Sequence, residues 1–395
     1  MLWCLLLSVA GIGLSSYLAF LHFGLMRGEL LGGAICGGSG GPFNCHAVTA
    51  GSWGRFLGMP LALWGLLGYL TIFSLSLLGH QSAETAAQLS PIIFLLAIAF
   101  VGIDLLLLAV MAFIIRFYCL FCLLTYAVNL SLLCVSARSL AVPWPGAFGQ
   151  LESALSALLP SKQRPAVDMF WGLMFVIVLG VVGLHTSTIY VSRGTLANVR
   201  TQLRDFIIKQ PRVTSDTSGD PTIGPAGAPL KIVEFSDFFC PACQRASQMN
   251  TIILANHRND ALFVFKHFPL DTTCNDKVTR MVHPGACQVA AASECAHLQG
   301  KFWPFHDLVF QKGHTYNLAN LEGDLSGLGV DLAAFRACMS SGKGMEAVKR
   351  DVAAGGEIGV QSTPTYVVNG VRAAGGFNPD VFDDFAAVVS ETSHK

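Results

Sequence analysis

Five apolar runs of about twenty residues dominate the first half of this chain. They cover roughly residues 2 to 24, 59 to 79, 92 to 115, 118 to 137 and 169 to 190. A helix of roughly 20 apolar residues crosses a bilayer core of about 30 Å, so each run is long enough to span a membrane. Residues 1–190 carry eleven charged side chains, whereas the remaining 205 residues carry 39. The sequence therefore predicts a helical membrane half followed by a soluble half.

Composition excludes two classes of protein. Only 13% of the 395 residues are charged and 52% are hydrophobic, whereas about 25% of residues are charged in ordinary soluble proteins. The chain is therefore not a soluble globular enzyme. Its 25 basic residues are balanced by 25 acidic ones, which leaves no positive surplus to bind phosphates, so nucleic acid is not an expected partner.

The distribution of basic residues predicts the orientation of the spans. Arg138, Lys162 and Arg164 form the densest basic cluster of the membrane half, between the fourth and fifth runs. Such clusters favour the cytoplasmic side, although Arg27 and Arg55 in the first outer loop weigh against this orientation. With five spans, the soluble half lies on the outer side, together with the first loop and the start of the fourth run.

Three segments follow the membrane domain, which we assign to residues 1–138. Residues 139–210 contain a connecting loop, the fifth span and an amphipathic stalk with apolar residues at helical spacing. Residues 211–229 are rich in Pro, Gly, Ser and Thr, a composition that predicts a flexible linker. Residues 230–395 form the soluble domain.

The soluble domain opens with a redox motif. The strand-like segment KIVEFSDF leads into Cys240-Pro-Ala-Cys243, which begins a helix. Backbone N–H groups and the helix dipole stabilise a thiolate at the first cysteine, so Cys240 is the expected nucleophile. Cys243, one turn later, would resolve the mixed disulfide. The alternative is half of a zinc site or a chance spacing.

The elements after this motif indicate a fold. A second strand at 261–270 precedes a mostly helical stretch at 276–356, and Thr363-Pro364 opens a hairpin that turns at Asn369-Gly370. This order resembles the DsbA-like thiol oxidoreductases, an α/β thioredoxin-like fold with a helical insertion, over about residues 230–392. The resemblance implies that Pro364 is a cis-proline lying against the two cysteines.

The membrane half carries a second pattern. Cys119-Leu-Phe-Cys122 is followed by Thr125-Tyr126 in the fourth run, and the first loop contains Cys36, a glycine-rich stretch and Cys45. This pattern resembles the vitamin K epoxide reductase family over about residues 1–138. The resemblance implies an α-helical transmembrane bundle with a four-helix core, to which the fifth span is added.

The same resemblance assigns roles to the membrane residues. Cys122 faces a quinone, Cys119 exchanges with Cys45, and Cys36 meets the incoming thiol. Tyr126 matches a tyrosine that hydrogen-bonds a quinone oxygen.

The first loop also suggests quinone-pocket residues by resemblance. These are Trp53 and Ser52. Ser52 matches less closely, because relatives often carry the hydroxyl residue one position earlier, where this chain has Gly51. Trp53 could equally be an anchor at the membrane interface.

Four further cysteines lie in the soluble half, where an oxidising compartment would pair them. Four cysteines allow three connectivities. We favour two bridges, Cys274 with Cys287 and Cys295 with Cys338.

Three other side chains of the spans receive no catalytic role. Cys4 and Cys134 lie near the inner ends of spans and are expected to act as small apolar residues. Asp104, a carboxylate within the third span, is a functional candidate by default. We interpret it as a hydrogen-bonded structural group facing the bundle.

The hypothesis is a bacterial fusion of a quinone-linked disulfide generator with its own DsbA-like partner, in the bacterial inner membrane. Electrons pass from unfolded exported protein thiols to Cys240/Cys243 on the periplasmic or extracytoplasmic side, and then through the membrane cysteines to ubiquinone or menaquinone. No metal is expected. Two alternatives remain: a disulfide isomerase or reductase supplied from the cytosol, and a metal-binding transport protein with paired cysteines as soft ligands.

Overall fold

The chain falls into two compact units. The computed structural model describes residues 1–32, 36, 41–140, 146–159 and 165–393. The membrane unit ends at Thr195 and the soluble unit begins at Leu196.

Among the described residues of the membrane unit, five helices are long and apolar enough to cross a bilayer, which agrees with the predicted number. They are Leu2–Met26, Leu61–Gly79, Ala83–Ile115, Leu120–Arg138 and Phe170–Ser187. The third span begins at Ala83 rather than near residue 92, because the Ser82 hydroxyl caps it by accepting the Thr85 N–H at 3.1 Å. It ends in a π-helical segment, Val110–Ile115.

Short elements fill the membrane unit between its spans. They are the helices Cys45–Ala50, Gly146–Gly149 and Leu151–Ala157, a 3-10 turn at Ser52–Gly54, and strands β1 (Arg55–Phe56) and β2 (Met59–Pro60). The fifth span lies within one helix that runs from Pro165 to Lys209.

A buried polar chain joins the second, third and fourth spans. The Tyr69 hydroxyl donates to Asn129 Oδ1 at 2.6 Å, and Asn129 Nδ2 donates to Asp104 Oδ2 at 2.9 Å. Interhelical hydrogen bonds of this kind hold helices together where lipid offers no alternative partner. Asp104 is thus hydrogen-bonded inside the bundle. Gly11 makes room for Tyr69, since a Cβ at that position would lie 2.3 Å from the ring.

The soluble unit is built on a five-stranded sheet. The strands are β3 (Thr222–Ile223), β4 (Leu230–Ser236), β5 (Ala261–His267), β6 (Thr365–Val368) and β7 (Val371–Ala374). They lie in the order β3-β5-β4-β6-β7. Strands β4 and β5 are parallel and the other pairs are antiparallel. Asn369 and Gly370 both have positive φ at the predicted hairpin turn.

Helices cover the sheet, and two disulfides tie the helical insertion. The helices are Pro241–Asn256, Ala286–His297, Phe302–Lys312, Leu321–Gly327, Leu332–Ser341, Lys343–Glu357 and Pro379–Ser393. Cys274 is bonded to Cys287 and Cys295 to Cys338. Residues 276–285, which the sequence placed in the helical stretch, form a loop instead.

The segment 211–229 is not the flexible linker that its composition predicts. Its strand β3 pairs with β5, the Val213 N–H donates to Gly370 O at 2.9 Å, and Asp220 forms a 2.7 Å ion pair with buried Lys266. Composition prevents this segment from forming a core of its own, but its backbone groups can still pair with a sheet edge that is already present. The stalk likewise joins the soluble domain, where Ile207 lies in the core.

Candidate active site

The structure places Cys240 at the N-terminal end of a helix. Cys240 is the N-cap of Pro241–Asn256, with proline at the first helical position, where a missing N–H costs nothing. The peptide bond before Pro364 is cis, and Cys240 Sγ lies 3.4 Å from the carbonyl oxygen of the preceding Thr363. The predicted proline and the first cysteine of the motif are therefore adjacent.

The two sulfurs of this motif have opposite proton affinities. A hydrogen bond from the Cys243 thiol lowers the pKa of Cys240 to about 5, aided by the Thr363 side chain and by the backbone N–H groups of Cys243 and Ala242. Burial raises the pKa of Cys243 well above its ordinary value. Cys240 is thus a thiolate at neutral pH and the better leaving group, while Cys243 holds its proton until it must attack.

A carboxyl group that the sequence analysis missed lies near Cys243. Glu234 of β4 is fully buried and accepts a 2.7 Å hydrogen bond from Asn250 Nδ2, while the Tyr366 hydroxyl donates to Asn250 Oδ1 at 2.9 Å. Burial raises the pKa of Glu234 to about 7. The negative charge of Glu234 in turn disfavours a thiolate at Cys243 and contributes to its raised pKa. The available signal was a glutamate placed between two apolar residues of the strand, Val233 and Phe235.

Replacing this carboxyl group should change the pH dependence of stability. The pKa of Glu234 rises from 4.5 to about 7 on folding, so the folded state holds the proton more tightly and stability falls as pH rises through that window. Glu234→Gln should abolish this loss and increase the free energy of unfolding above pH 7 by about 3 kcal/mol. Urea unfolding followed by pulse proteolysis at several pH values measures the effect. Exposed Glu357→Gln is the control, and an equal pH profile in both variants would contradict the assignment.

Four cysteines meet in the membrane unit. The Cys36 and Cys45 sulfurs lie 2.8 Å apart, and Cys119 and Cys122 form a disulfide. All four belong to one apolar cluster, which also contains half-buried Tyr126. The structure thus brings together five of the residues predicted for this half.

Backbone pairing holds Cys45 beside the second cysteine pair. Phe43 forms a parallel bridge with Tyr118, with the Asn44 N–H donating to Tyr118 O at 2.9 Å and the Tyr118 N–H donating to Pro42 O at 2.8 Å. Cys45 and Cys119 directly follow these segments. The Asn44 side chain also caps the helix that Cys45 begins.

The two sulfurs of the first-loop pair also differ. The hydrogen bond from the Cys36 thiol lowers the pKa of Cys45 to about 7, and the backbone N–H groups of Phe121 and Leu120 act in the same direction. The same hydrogen bond raises the pKa of Cys36. The N-terminus of the fourth span therefore points at the Cys45 sulfur, which favours its thiolate over that of Cys36.

Of the two residues predicted for the quinone pocket from the first loop, Trp53 is not brought to this cluster. Trp53 is 46% exposed and is not among the described residues that pack around the four cysteines. The side chain of Ser52 lies outside the residues that the structure describes. In contrast, Tyr17 of the first span, which the sequence analysis did not select, packs against Phe121 with ring centroids 4.6 Å apart. Within the described ranges, no group of three His, Cys, Asp or Glu side chains is arranged to hold a metal ion.

Comparison with known proteins identifies both halves. Residues 2–137 match the model of the vitamin K epoxide reductase family, and residues 231–387 match that of the DSBA-like thioredoxin domain. Similar solved structures include a thioredoxin-like oxidoreductase from Silicibacter pomeroyi (19% identity, TM-score 0.38, covering 45% of this chain and 94% of that one). BdbD from Bacillus subtilis is similar at 21% identity and TM-score 0.38, covering 47% of this chain and 99% of that one.

Curated relatives match part of the chain. A Na+/H+ antiporter of Salinispora tropica is 34% identical over 178 residues, which is 45% of this chain and 26% of the antiporter. One of Herminiimonas arsenicoxydans is 34% identical over 155 residues, 39% of this chain and 23% of that protein. The chain thus spans about a quarter of the length of these relatives, and the activity in their names is that of the whole proteins. The chain thus joins a segment that matches the vitamin K epoxide reductase family to a segment that matches the DSBA-like thioredoxin domain.

Proposed function

We propose that the chain generates disulfides in exported proteins and passes the electrons to a membrane quinone. The observation that carries this proposal is the gathering of Cys36, Cys45, Cys119 and Cys122 in one apolar cluster, with the Cys45 sulfur at the N-terminus of the helix that carries Cys122. A soluble exchange site alone would not need a second and third cysteine pair.

The first exchange oxidises the substrate at the soluble domain. A substrate thiolate attacks Cys240 of the Cys240–Cys243 disulfide, and the Cys243 sulfur leaves. A second substrate thiol then attacks the mixed disulfide, which releases the oxidised substrate and the Cys240 thiolate. Because the pKa of Cys240 is about 5, its departure is favourable at neutral pH. Two electrons now reside on the Cys240/Cys243 pair.

The next exchanges carry these electrons into the membrane domain. Cys240 attacks Cys36 of the Cys36–Cys45 disulfide and Cys45 leaves, after which Cys243 attacks Cys240 and restores its disulfide. Cys45, whose pKa is about 7, then attacks Cys119 and displaces Cys122, and Cys36 restores the disulfide with Cys45. The electron pair ends on Cys119 and Cys122.

The residues around Cys122 fit a quinone. Cys122 and Tyr126 are half-buried on an apolar cluster at the start of the fourth span, where a lipid-soluble molecule can approach them. A bound quinone would accept two electrons and two protons as the Cys119–Cys122 disulfide re-forms. Tyr126 would orient it through a hydrogen bond to a ring oxygen. We place these cysteines and the soluble domain on the periplasmic side of the bacterial inner membrane.

Trapping the mixed disulfide tests the order of exchange. Cys243→Ser removes the thiol that resolves the Cys240–Cys36 link, so this link should accumulate when the Cys240 thiolate attacks the oxidised Cys36–Cys45 disulfide and Cys45 leaves, with no substrate thiol added. Alkylation of free thiols, proteolysis and mass spectrometry identify the joined peptides.

The double variant Cys36→Ser/Cys243→Ser provides the control and should lose the link. Capture of Cys240 on Cys45 or Cys119 instead would contradict Cys36 as the acceptor. So would the absence of any link to Cys36 in a protein whose quinone reduction persists.

A further inference from the structure

A buried histidine directly after Cys45 is bonded to the segment that precedes Cys36. His46 Nε2 lies 2.8 Å from the carbonyl oxygen of Leu31, and the residue is 1% exposed. A carbonyl oxygen only accepts hydrogen bonds, so Nε2 carries the proton and donates it. The imidazole therefore ties the helix that begins at Cys45 to the chain that leads to Cys36.

The segment around Leu31 lies directly against Cys36. Gly32 has a φ of +93°, and a Cβ at this position would lie 2.9 Å from the Cβ and 3.1 Å from the sulfur of Cys36. Glycine accommodates both this backbone conformation and this close approach. Leu31 in turn packs against Gly24 of the first span, where a Cβ would overlap the Leu31 side chain. A hydrogen bond to the Leu31 carbonyl group therefore acts on the position of Cys36.

The helix that begins at Cys45 is fixed to the first span. His22 of that span has its Nδ1 3.2 Å from the carbonyl oxygen of Thr49. The Thr49 hydroxyl donates to Cys45 O at 2.9 Å. Because this helix has its own anchor, a tie from it to the other arm of the loop holds the Cys36 sulfur near that of Cys45. The two sulfurs lie 2.8 Å apart.

The second ring nitrogen of His46 indicates that packing alone does not account for this side chain. Nδ1 is buried and has no hydrogen-bond partner among the described residues. Burial lowers the pKa of His46, so the ring is neutral at neutral pH and Nδ1 is a bare acceptor. An unpaired buried acceptor destabilises the folded state, a cost that an apolar side chain of similar size avoids. What the imidazole adds over such a side chain is the bond from Nε2 to Leu31.

We propose that His46 is a positioning residue that holds Cys36 against Cys45 through the Leu31 carbonyl group and so stabilises their disulfide. Reduction breaks the covalent link between the two sulfurs, whereas the tie remains and keeps the thiols together. Two thiols held in this way have a high effective concentration, which favours their disulfide over that of two glutathione molecules. The inference rests on the proposed function, in which this pair accepts electrons from Cys240.

The test measures the redox equilibrium of the Cys36/Cys45 pair in the full-length protein without added quinone. The protein is equilibrated in glutathione buffers, where the disulfide and two glutathione molecules exchange with two protein thiols and oxidised glutathione. Differential alkylation and mass spectrometry give the reduced fraction of each pair.

His46→Asn should make this disulfide easier to reduce, because the amide nitrogen of asparagine takes the place of Nδ1 rather than of Nε2. The ratio of squared reduced glutathione to oxidised glutathione at half reduction should fall about tenfold, which is about 30 mV for a two-electron couple. The Cys240/Cys243 pair, read in the same digest, should be unchanged.

A conservative variant separates the hydrogen bond from the rest of the side chain. The amide nitrogen of His46→Gln takes the place of Nε2, so this variant should recover most of the parent ratio. His80→Gln, at an exposed histidine, should leave the ratio unchanged. A parent-like ratio in His46→Asn, or equal shifts in His46→Asn and His46→Gln, would overturn the proposal. Failure of the relay itself would appear instead as lost quinone reduction with this equilibrium intact.

Discussion

Full-length protein carrying Cys119→Ala is expected to stop consuming quinone when it is supplied with reduced, unfolded protein. Cys119 is fully buried, bonded to Cys122 and adjacent to the segment paired with Phe43 and Asn44. In the proposed exchange, its loss removes both the sulfur that Cys45 attacks and the disulfide whose re-formation gives two electrons to the quinone. The rate should fall by at least about a thousandfold, as for the loss of other reacting groups. Absorbance of the added quinone measures it.

A matched control lies further along the same helix. Cys134 is exposed and has no role in the proposed exchange, so Cys134→Ala should retain the parent rate. Quinone reduction undiminished in Cys119→Ala would exclude the membrane relay. If instead both variants lost activity, the effect would belong to the helix rather than to the disulfide, and the assignment of Cys119 would fail.

Removing the bridge between Cys295 and Cys338 should destabilise the soluble domain more than removing the bridge between Cys274 and Cys287. Cys295 and Cys338 lie 43 residues apart in the sequence, whereas Cys274 and Cys287 lie 13 residues apart. Constraint of the unfolded chain grows with loop length, which gives about 4 kcal/mol for the longer loop and about 3 kcal/mol for the shorter. Double alanine variants remove each bridge without leaving a free thiol.

Pulse proteolysis of the full-length protein in urea measures this difference when the soluble-domain fragment is followed. The Glu357→Gln variant serves as the reference for a neutral surface change. If removing the Cys274–Cys287 bridge lowered the free energy of unfolding more, local contacts rather than loop closure would govern the stabilisation.

The sequence predicted most features that depend on a local pattern. The membrane spans were predicted from the length of the apolar runs. The hairpin turn was predicted from Asn369-Gly370, two residue types that readily adopt positive φ, and the helix start at Cys240 was predicted from the proline that follows it. Each of these depends on residues close together in the chain, so a single window of sequence contains the necessary information.

Features that depend on distant partners could not be predicted in this way. The hydrogen-bonded position of buried Glu234 depends on Asn250 and Tyr366, which lie on other elements of the chain. The role of His46 likewise depends on Leu31, which lies 15 residues earlier. The start of the third span was missed for a different reason: Ser82 caps a helix whose first turn is polar, and a window of hydropathy does not detect a cap.

The docked segment 211–229 determines where the soluble domain can be cut. Strand β3 covers one edge of β5, and Asp220 supplies one of the two carboxylates that pair with Lys266. A fragment begun at residue 230 would leave the β5 backbone unpaired along that edge, which is the surface through which sheets aggregate. It would also leave buried Lys266 with a single counter-charge. The smallest independent domain therefore begins before the strand that composition alone would discard.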